Sequence, residues 1–236
     1  PSPVAVSETI SWVSAVANYS EPVPLGGVMR SHAVGRVLES RSDAYSPGDL
    51  VVGMFGWQEL ATVDASAVIR RVPDDDLSPS LALGVLGLTG VTAWFGMTEV
   101  GEPRVGDTVV VSTAAGAVGS VAGQVAKLAG ARTVGIAGGA AKTRLCTEEF
   151  GYDAAVDYRS PTFEADLAQA CAGGVDVYYD NTGGAISDAV LRLINRRARI
   201  VVCGTASVPA WDPWPTGPMV TRHLLTKSAR MQGFLY

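Results

Sequence analysis

The stretch TVVVSTAAGAVG, residues 108–119, decides the fold. It predicts a strand of β-branched residues, a turn of small residues and the start of a helix. The turn has the G-x-G-x-x-G spacing, with Ala114 in place of the first glycine and with Gly116 and Gly119 retained. We interpret Gly116 as the residue that lets the backbone approach a pyrophosphate, and Gly119 as the residue that lets the helix pack close to the strand. In this context the turn indicates dinucleotide binding; the alternative is an ordinary tight strand-to-helix turn.

Beyond this turn, short β-branched runs alternate with helical stretches as far as the last residue. Alternation of this kind is typical of an α/β fold with a doubly wound parallel sheet and right-handed crossovers. The sequence therefore predicts a Rossmann-type sheet. Its strands are expected at 108–112, 132–136, 154–158, 175–180, 199–204 and 231–236, and the helices between them from about 118 and at 140–150, 163–172 and 184–194.

The chain before Pro73 has a different texture, with strands and turns but no helical periodicity. RSHAVGRVLES (30–40) predicts a strand and a turn, and SPGDLVVGMFGWQELATV (46–63) predicts a turn, a strand, a Gly-rich bend and a second strand. The three aspartates at 74–76 mark a boundary before a helix start. We therefore expect three parts, a β domain over 1–75, a connecting helix region over 76–104 and the Rossmann domain over 105–236.

The residues after the second predicted strand indicate which dinucleotide is bound. An NAD site usually has an acidic residue there that binds the ribose 2′-hydroxyl. This chain instead has Gly138 and Gly139, then Lys142, and no carboxylate before Glu148. Glycines leave room for a 2′-phosphate and a lysine can neutralise it, so the sequence favours NADP(H). The alternative is that Lys142 is only a solvated helix residue.

Composition and charge exclude several classes of partner. The formal net charge is −5, which disfavours nucleic acid and anionic membranes. The three cysteines, Cys146, Cys171 and Cys203, are far apart, and with only His32 and His223 beside them no metal site is expected. The two long uncharged stretches contain many glycines and are interpreted as buried segments rather than membrane spans. No secretory signal is evident at the start, so we expect reduced thiols and a cytoplasmic location.

Taken together, several segments resemble the zinc-independent medium-chain dehydrogenase/reductases of the prostaglandin reductase, leukotriene B4 12-hydroxydehydrogenase and alkenal double-bond reductase group. The resemblance covers nearly everything from about Tyr19 onward and is specific only as a set. The segments that carry it are YSEPVPLGGVMRSHAVGRVLES (19–40), YSPGDLVVGMFGWQEL (45–60), LGVLGLTGVTAWFGMTEVG (83–101), the run from Ser112 to Arg144, VDVYYDNTGG (175–184) and ARIVVCG (198–204).

This resemblance implies a GroES-like catalytic domain in the first part of the chain, NADPH as the cofactor and a homodimer. It also implies a cofactor site at the carboxyl ends of the strands, where open α/β sheets bind ligands. The implied phosphate contacts are Ala117, Val118, Gly119 and Ser120, beside Gly116 of the turn. The 2′-phosphate contacts are Lys142 and Tyr158, and Asn181 lies along the cofactor. The nicotinamide end is approached by Cys203, Gly204, Thr205, Ala206, Ser207, Phe234, Leu235 and Tyr236.

The reaction implied is the NADPH-dependent reduction of the carbon–carbon double bond of α,β-unsaturated ketones or aldehydes. Many family members have a substrate-contacting tyrosine where this chain has Pro209, so the proton donor and the catalytic residues are unknown. Tyr19, His32 and Trp211 are the substrate-pocket candidates. Two alternatives stay open, a quinone reductase of the same superfamily and a non-catalytic NADPH-binding homologue. The chain is shorter than the family, so we expect a fragment or missing parts.

Overall fold

The structure is a computed structural model that describes residues 23–73, 77–208 and 213–235. The chain divides into two compact units, Pro1–Thr89 and Gly90–Tyr236. The boundary lies inside the segment 76–104 that was expected to connect two domains, and the three-part division stays a prediction. Among the described residues, no helix combines the length and apolar character that crossing a membrane requires.

The first unit contains a small antiparallel sheet in the order β1-β2-β3. The strands are β1 (Ala33–Arg36), β2 (Leu50–Gly53) and β3 (Val68–Arg71), with short 3₁₀ helices at Ala65–Ala67 and Pro79–Ala82. All four residues of the central strand β2 are buried. The second strand predicted within 46–63 is wrong, because the edge of β2 pairs with β3 instead and the apolar residues at 57, 60 and 63 are exposed.

The described part of the second unit contains a six-stranded parallel sheet in the order β6-β5-β4-β7-β8-β9. This is the strand order of a Rossmann fold, and the predicted fold class is confirmed. The strands are β4 (Thr108–Ser112), β5 (Arg132–Ala137), β6 (Ala154–Asp157), β7 (Val175–Asp180), β8 (Ile194–Val202) and β9 (Arg230–Gly233). The helices are α1 (Leu88–Phe95, continued by a π-helical turn at Gly96–Gly101), α2 (Ala117–Leu128), α3 (Ala140–Glu148), α4 (Phe163–Ala170), α5 (Gly184–Leu191) and α6 (Thr221–Lys227).

Strand β4 shows why the sheet forms from these residues. Val109, Val110 and Val111 are all fully buried, and successive side chains of a strand point to opposite faces. Val109 and Val111 pack in one core with Ala122 of α2, while Val110 packs in the other core with Leu167 of α4. A strand buried on both faces needs a continuous apolar run, and the sequence TVVVS provides it.

The last two strands differ from the prediction. Strand β8 begins at Ile194, which pairs with Val175, and not at Arg199. Its first half is polar, the backbone of Arg197 has a φ of 65°, and the pairing with β7 is irregular between Val175 and Val177. The polar residues 195–197 concealed the start of this strand, because Ile194 pairs with Val175 and the register resumes only at Arg199 with Val177, as in a bulge. Strand β9 ends at Gly233, before the predicted end of its run.

Two arginines fix the amino edge of the sheet against the end of the helix that precedes β4. Arg199 of β8 donates its Nε hydrogen to the Gly101 carbonyl (2.8 Å) and pairs with Asp107. Arg230 of β9 donates to the Val100 carbonyl (2.9 Å) and pairs with Glu102, which lowers the pKa of that carboxyl. The two guanidinium groups thus donate hydrogen bonds to carbonyls at the end of a helix, which have no partner within the helix. A positive charge is stabilising at this position.

Arg199→Ala should lower the free energy of unfolding by about 2–4 kcal/mol, because it removes the cationic partner of Asp107 and of the helix carbonyls in a mostly buried site and leaves Asp107 with the Arg104 amide. Arg192→Ala is the matched control, since its pair with Glu164 is largely exposed and should contribute less than about 1 kcal/mol. Urea unfolding of both variants measures the difference. Equal losses would contradict this role for Arg199.

Candidate functional site

The turn after β4 presents unpaired amide groups at the carboxyl edge of the sheet. The backbone reverses at Thr113, with a φ of 54°, and Gly116 forms the N-cap of α2 without any side-chain cap. The Gly116 amide donates to the Thr113 carbonyl (2.8 Å). The first amides of a helix have no acceptor within it, so those of Ala117, Val118 and Gly119 are available to an anion.

The backbone of the turn excludes a side chain at Gly119, and at Gly116 a side chain would crowd Thr113, whose Cγ2 would lie 2.8 Å from the new Cβ. A Cβ at Gly119 would lie 2.2 Å from the Thr113 oxygen, and one at Gly116 would lie 3.0 Å from the same oxygen. Helix α2 therefore starts directly against the end of β4 because these two positions have no side chain. Ala114, which replaces the first glycine of the motif, is fully buried, and its methyl group faces Gly135 of β5, where a Cβ would lie 2.8 Å from it.

Tyr152, which was not predicted as a site residue, supports the first turn of α2 through a hydrogen bond. Its hydroxyl donates to the Gly119 carbonyl (2.6 Å), and burial raises its pKa well above the usual value, which keeps it protonated as a donor. A Cβ at Gly123 would lie 2.1 Å from its Cζ atom. The only signal in the sequence is the pair of extra glycines at 123 and 135, both of which face this ring.

Two glycines, Gly138 and Gly139, follow β5 beside the end of β6, and we call this place the gap because a Cβ at Gly139 would meet no atom within 4 Å. The carboxylate of Asp157 accepts from the amides of Gly139 (2.8 Å) and Arg159 (2.9 Å), and these two bonds lower its pKa. A Cβ at Gly138 would lie 2.8 Å from Tyr158 and 3.0 Å from the Arg159 Nε atom.

Lys142 follows this gap as an exposed residue of the first turn of α3. Arg159 was not predicted as a site residue, and its guanidinium lies 5.7 Å from the centroid of the Tyr158 ring. Its position immediately after Tyr158 was the available signal. The gap thus combines small residues with positive charge, as a phosphate site requires.

On the other side of β4, Asn181 binds the end of that strand twice. Its amide donates to Ser112 Oγ (2.8 Å), and its side-chain Nδ2 donates to the Ser112 carbonyl (2.7 Å). The loop 203–208 follows β8 and is hydrogen-bonded to the turn 180–184, since the Ala206 amide donates to the Asn181 carbonyl (3.1 Å). Phe234 packs edge-on against Tyr179, with ring centroids 6.5 Å apart.

The described candidates of the second unit therefore all lie at the carboxyl ends of its strands or in the segments that follow them. His32 belongs to the first unit, where it is half-buried and precedes β1. Tyr19, Trp211 and Tyr236, as well as Pro209, lie outside the described residues. Burial raises the pKa of Cys146 and of Cys171 to about 11, so neither is a reactive thiol. No cluster of metal-ligating side chains occurs among the described residues.

Two family models match the chain. The model described as "Zinc-binding dehydrogenase" matches residues 117–236, and "N-terminal domain of oxidoreductase" matches residues 9–70. The chain is 43% identical over 222 residues to the NADPH-dependent curcumin reductase of Escherichia coli K12, a match that covers 92% of this chain and 64% of that protein. It is 38% identical over 222 residues to the 2-alkenal reductase (NADP⁺-dependent) of Nicotiana tabacum, with the same two coverages.

Among solved structures, the chain resembles CurA from Vibrio vulnificus in complex with NADPH. The TM-score is 0.91 and the sequence identity 36%, over 99% of this chain and 71% of that chain. The chain thus spans just under two thirds of the length of the curated relatives, 64% for the curcumin reductase.

Gly123→Ala should lower the free energy of unfolding by about 1–3 kcal/mol, because the new methyl group collides with the Tyr152 ring. The cost should largely disappear in a Tyr152→Leu background, which a double-mutant cycle measures. Gly173→Ala is the control, since a Cβ there meets no atom within 4 Å. An unchanged cost of Gly123→Ala without the Tyr152 ring would refute the proposed contact.

Proposed function

The chain belongs to the zinc-independent medium-chain dehydrogenase/reductases, in the group that contains the curcumin, 2-alkenal and prostaglandin reductases, and from this membership we propose that it reduces the carbon–carbon double bond of α,β-unsaturated ketones or aldehydes with NADPH. The observation that carries the proposal is the likeness, over 99% of this chain, to a structure that contains NADPH. Since the chain spans 64% of the curcumin reductase, the activity of the whole protein is inferred.

The geometry of the second unit supports NADPH as the cofactor. The open amides of Ala117, Val118 and Gly119, with Ser120 in the next position, would hold the diphosphate at the start of α2. The 2′-phosphate would bind in the gap at Gly138, between Lys142, Tyr158 and Arg159. The end of β5 itself has no carboxylate, and the nearby carboxylate of Asp157 at the end of β6 already accepts from the amides of Gly139 and Arg159. The residues present thus fit the cofactor chemically.

The second half of the cofactor would extend over the ends of β7 and β8. The phosphate turn follows β4 and the 2′-phosphate gap follows β5 and β6, so the remaining direction along the edge leads to Asn181 and the loop 203–208. Phe234 and Leu235 follow β9 beyond this loop. These residues would orient the nicotinamide ring relative to the substrate.

When bound, NADPH supplies the hydride, which goes to the β-carbon of the substrate. The part of the protein is to orient the reactants and to stabilise the negative charge that develops on the substrate oxygen. No hydroxyl is available at position 209, so the donor to that oxygen has to be another group, water or a ribose hydroxyl. Tyr19, His32 and Trp211 remain the candidates for the substrate pocket. A homodimer is proposed from the family, and a cytoplasmic location from the free cysteines.

The proline at position 209 favours one alternative, a homologue that binds NADPH without catalysis. The test mixes the protein and NADPH with a panel of enones, alkenals and quinones and follows the absorbance of the reduced nicotinamide. Turnover of enones or alkenals supports the proposed reaction, and turnover of quinones alone supports a quinone reductase. Tight NADPH binding without any turnover supports the non-catalytic alternative. Calorimetry that detects no binding of NADPH or NADP⁺ would overturn all three.

Lys142→Ala should weaken NADPH binding by about tenfold or more and leave NADH binding nearly unchanged, because only NADPH has the 2′-phosphate. Lys127→Ala is the matched control, since Lys127 lies in the last turn of α2 and pairs with Asp153. It should change neither affinity. Calorimetric titration of each variant with both cofactors measures the ratio. If Lys142→Ala affects NADPH and NADH equally, Lys142 does not bind the 2′-phosphate.

A further inference from the structure

Asp180, the last residue of β7, is a buried carboxylate whose described partners are all neutral. Its Oδ1 accepts from the amides of Thr182 (2.8 Å) and Gly183 (2.9 Å) and from the hydroxyls of Tyr178 (3.0 Å), Thr182 (3.2 Å) and, at the longest distance, Ser112 (3.5 Å). Its Oδ2 accepts from the hydroxyl of Ser187 (2.6 Å). Burying a carboxylate costs several kcal/mol unless hydrogen bonds compensate it, so this arrangement requires an explanation.

The bonds of Asp180 fix the shape of the turn 180–184. A carboxylate that binds amides two and three residues ahead closes a local turn and holds the start of the next helix. The turn continues through Gly183 and Gly184, with φ values of 67° and 61°, into α5. Tyr178 and Ser187 connect the same carboxylate to β7 and α5, so the turn is held from both sides.

The turn 180–184 positions the loop 203–208 through hydrogen bonds. The amides of Cys203 (2.8 Å) and Gly204 (3.1 Å) donate to the Asp180 carbonyl. The Ser207 amide donates to the Thr182 carbonyl (3.0 Å), and the Ser207 hydroxyl donates to the same carbonyl (2.8 Å). A Cβ at Gly204 would lie 3.0 Å from the Asn181 oxygen, so the two segments pack backbone to backbone. A displaced turn would therefore displace the loop.

We propose that Asp180 is a positioning residue for the nicotinamide half of the cofactor, an inference that rests on the proposed function. It acts through the turn 180–184 and the loop 203–208 and makes no contact with the adenosine half. That half is assigned to the ends of β5 and β6, on the opposite side of β4. Loss of the Asp180 carboxylate thus lowers the affinity for a ligand that reaches the ends of β7 and β8. It leaves unchanged the affinity for a ligand that does not reach them.

The experiment compares two ligands on the full chain by calorimetry. NADPH contains both halves, and adenosine 2′,5′-bisphosphate contains only the adenosine half. Asp180→Ala should weaken NADPH binding about tenfold or more, because the turn and the loop that it no longer holds must be ordered when the ligand binds. It should change the affinity for the bisphosphate by less than about twofold, since that ligand has no contact with the turn. Asp180→Asn, which keeps the shape and one acceptor oxygen, should fall between Asp180→Ala and the wild type.

Asp176 provides matched controls on the same strand. It lies at the opposite end of β7, where it accepts from the Thr108 amide (2.9 Å) and from the Asn195 side chain (2.9 Å). Asp176→Ala and Asp176→Asn should cost stability and leave the affinities for both ligands unchanged. If Asp180→Ala does not fold, Ser187→Ala is the alternative variant, since it removes the 2.6 Å bond to Oδ2. It should also lower the affinity for NADPH and not that for the bisphosphate, by a smaller factor.

The outcomes separate this inference from the proposed function. A selective loss of NADPH affinity in the Asp180 variants supports the positioning role. Folded variants that bind NADPH as the wild type does, or that lose both ligands equally, overturn it while the proposed cofactor stands. A wild-type chain that binds neither ligand overturns the proposed function, and the inference falls with it.

Discussion

The proposed cofactor site of the second unit starts from the approach of Gly119 to the Thr113 carbonyl, where a Cβ would lie only 2.2 Å from the oxygen. Helix α2 can begin against the end of β4 only because this position has no side chain. Its first amides then lie at the carboxyl edge of the sheet, beside the ends of the neighbouring parallel strands. The proposed cofactor site depends on this contact, since the turn, the gap at Gly138 and the turn 180–184 all lie along that edge.

The fold was largely predictable because its signals are local. Val109, Val110 and Val111 form a continuous apolar run, and such a run predicts a strand buried on both faces without knowledge of its neighbours. The start of β8 was missed because the polar residues Arg196 and Arg197 separate Ile194, which pairs with Val175, from the rest of the strand. Strand β3 was also missed. Its short sequence forms a strand because it pairs with β2, and this pairing is not visible in the sequence.

The candidate site was predictable where one segment contains both partners of a contact, as in the turn 113–119 or in Gly138 with Lys142. It was not predictable where the partners are distant in sequence. Tyr152 binds Gly119 across 33 residues, and Asn181 binds Ser112 across 69. Composition and spacing do not reveal such pairs, because any of the chain's tyrosines or asparagines could have occupied those positions. The extra glycines at 123 and 135 are the one trace that a bulky partner leaves in the sequence.

The carboxylates at the two edges of the sheet have different kinds of partner. At the amino edge, Arg199 and Arg230 pair with Asp107 and Glu102, so opposite charges meet directly and rigidity is gained from ion pairs near helix carbonyls. At the carboxyl edge, the described partners of the Asp180 carboxylate are hydroxyls and backbone amides. An ion pair there would place a long flexible cation beside the proposed ligand, whereas short neutral donors fix the backbone and leave the surface above it free. The position of a carboxylate along one strand, at Asp176 or at Asp180, therefore decides whether its bonds support the sheet or shape the site.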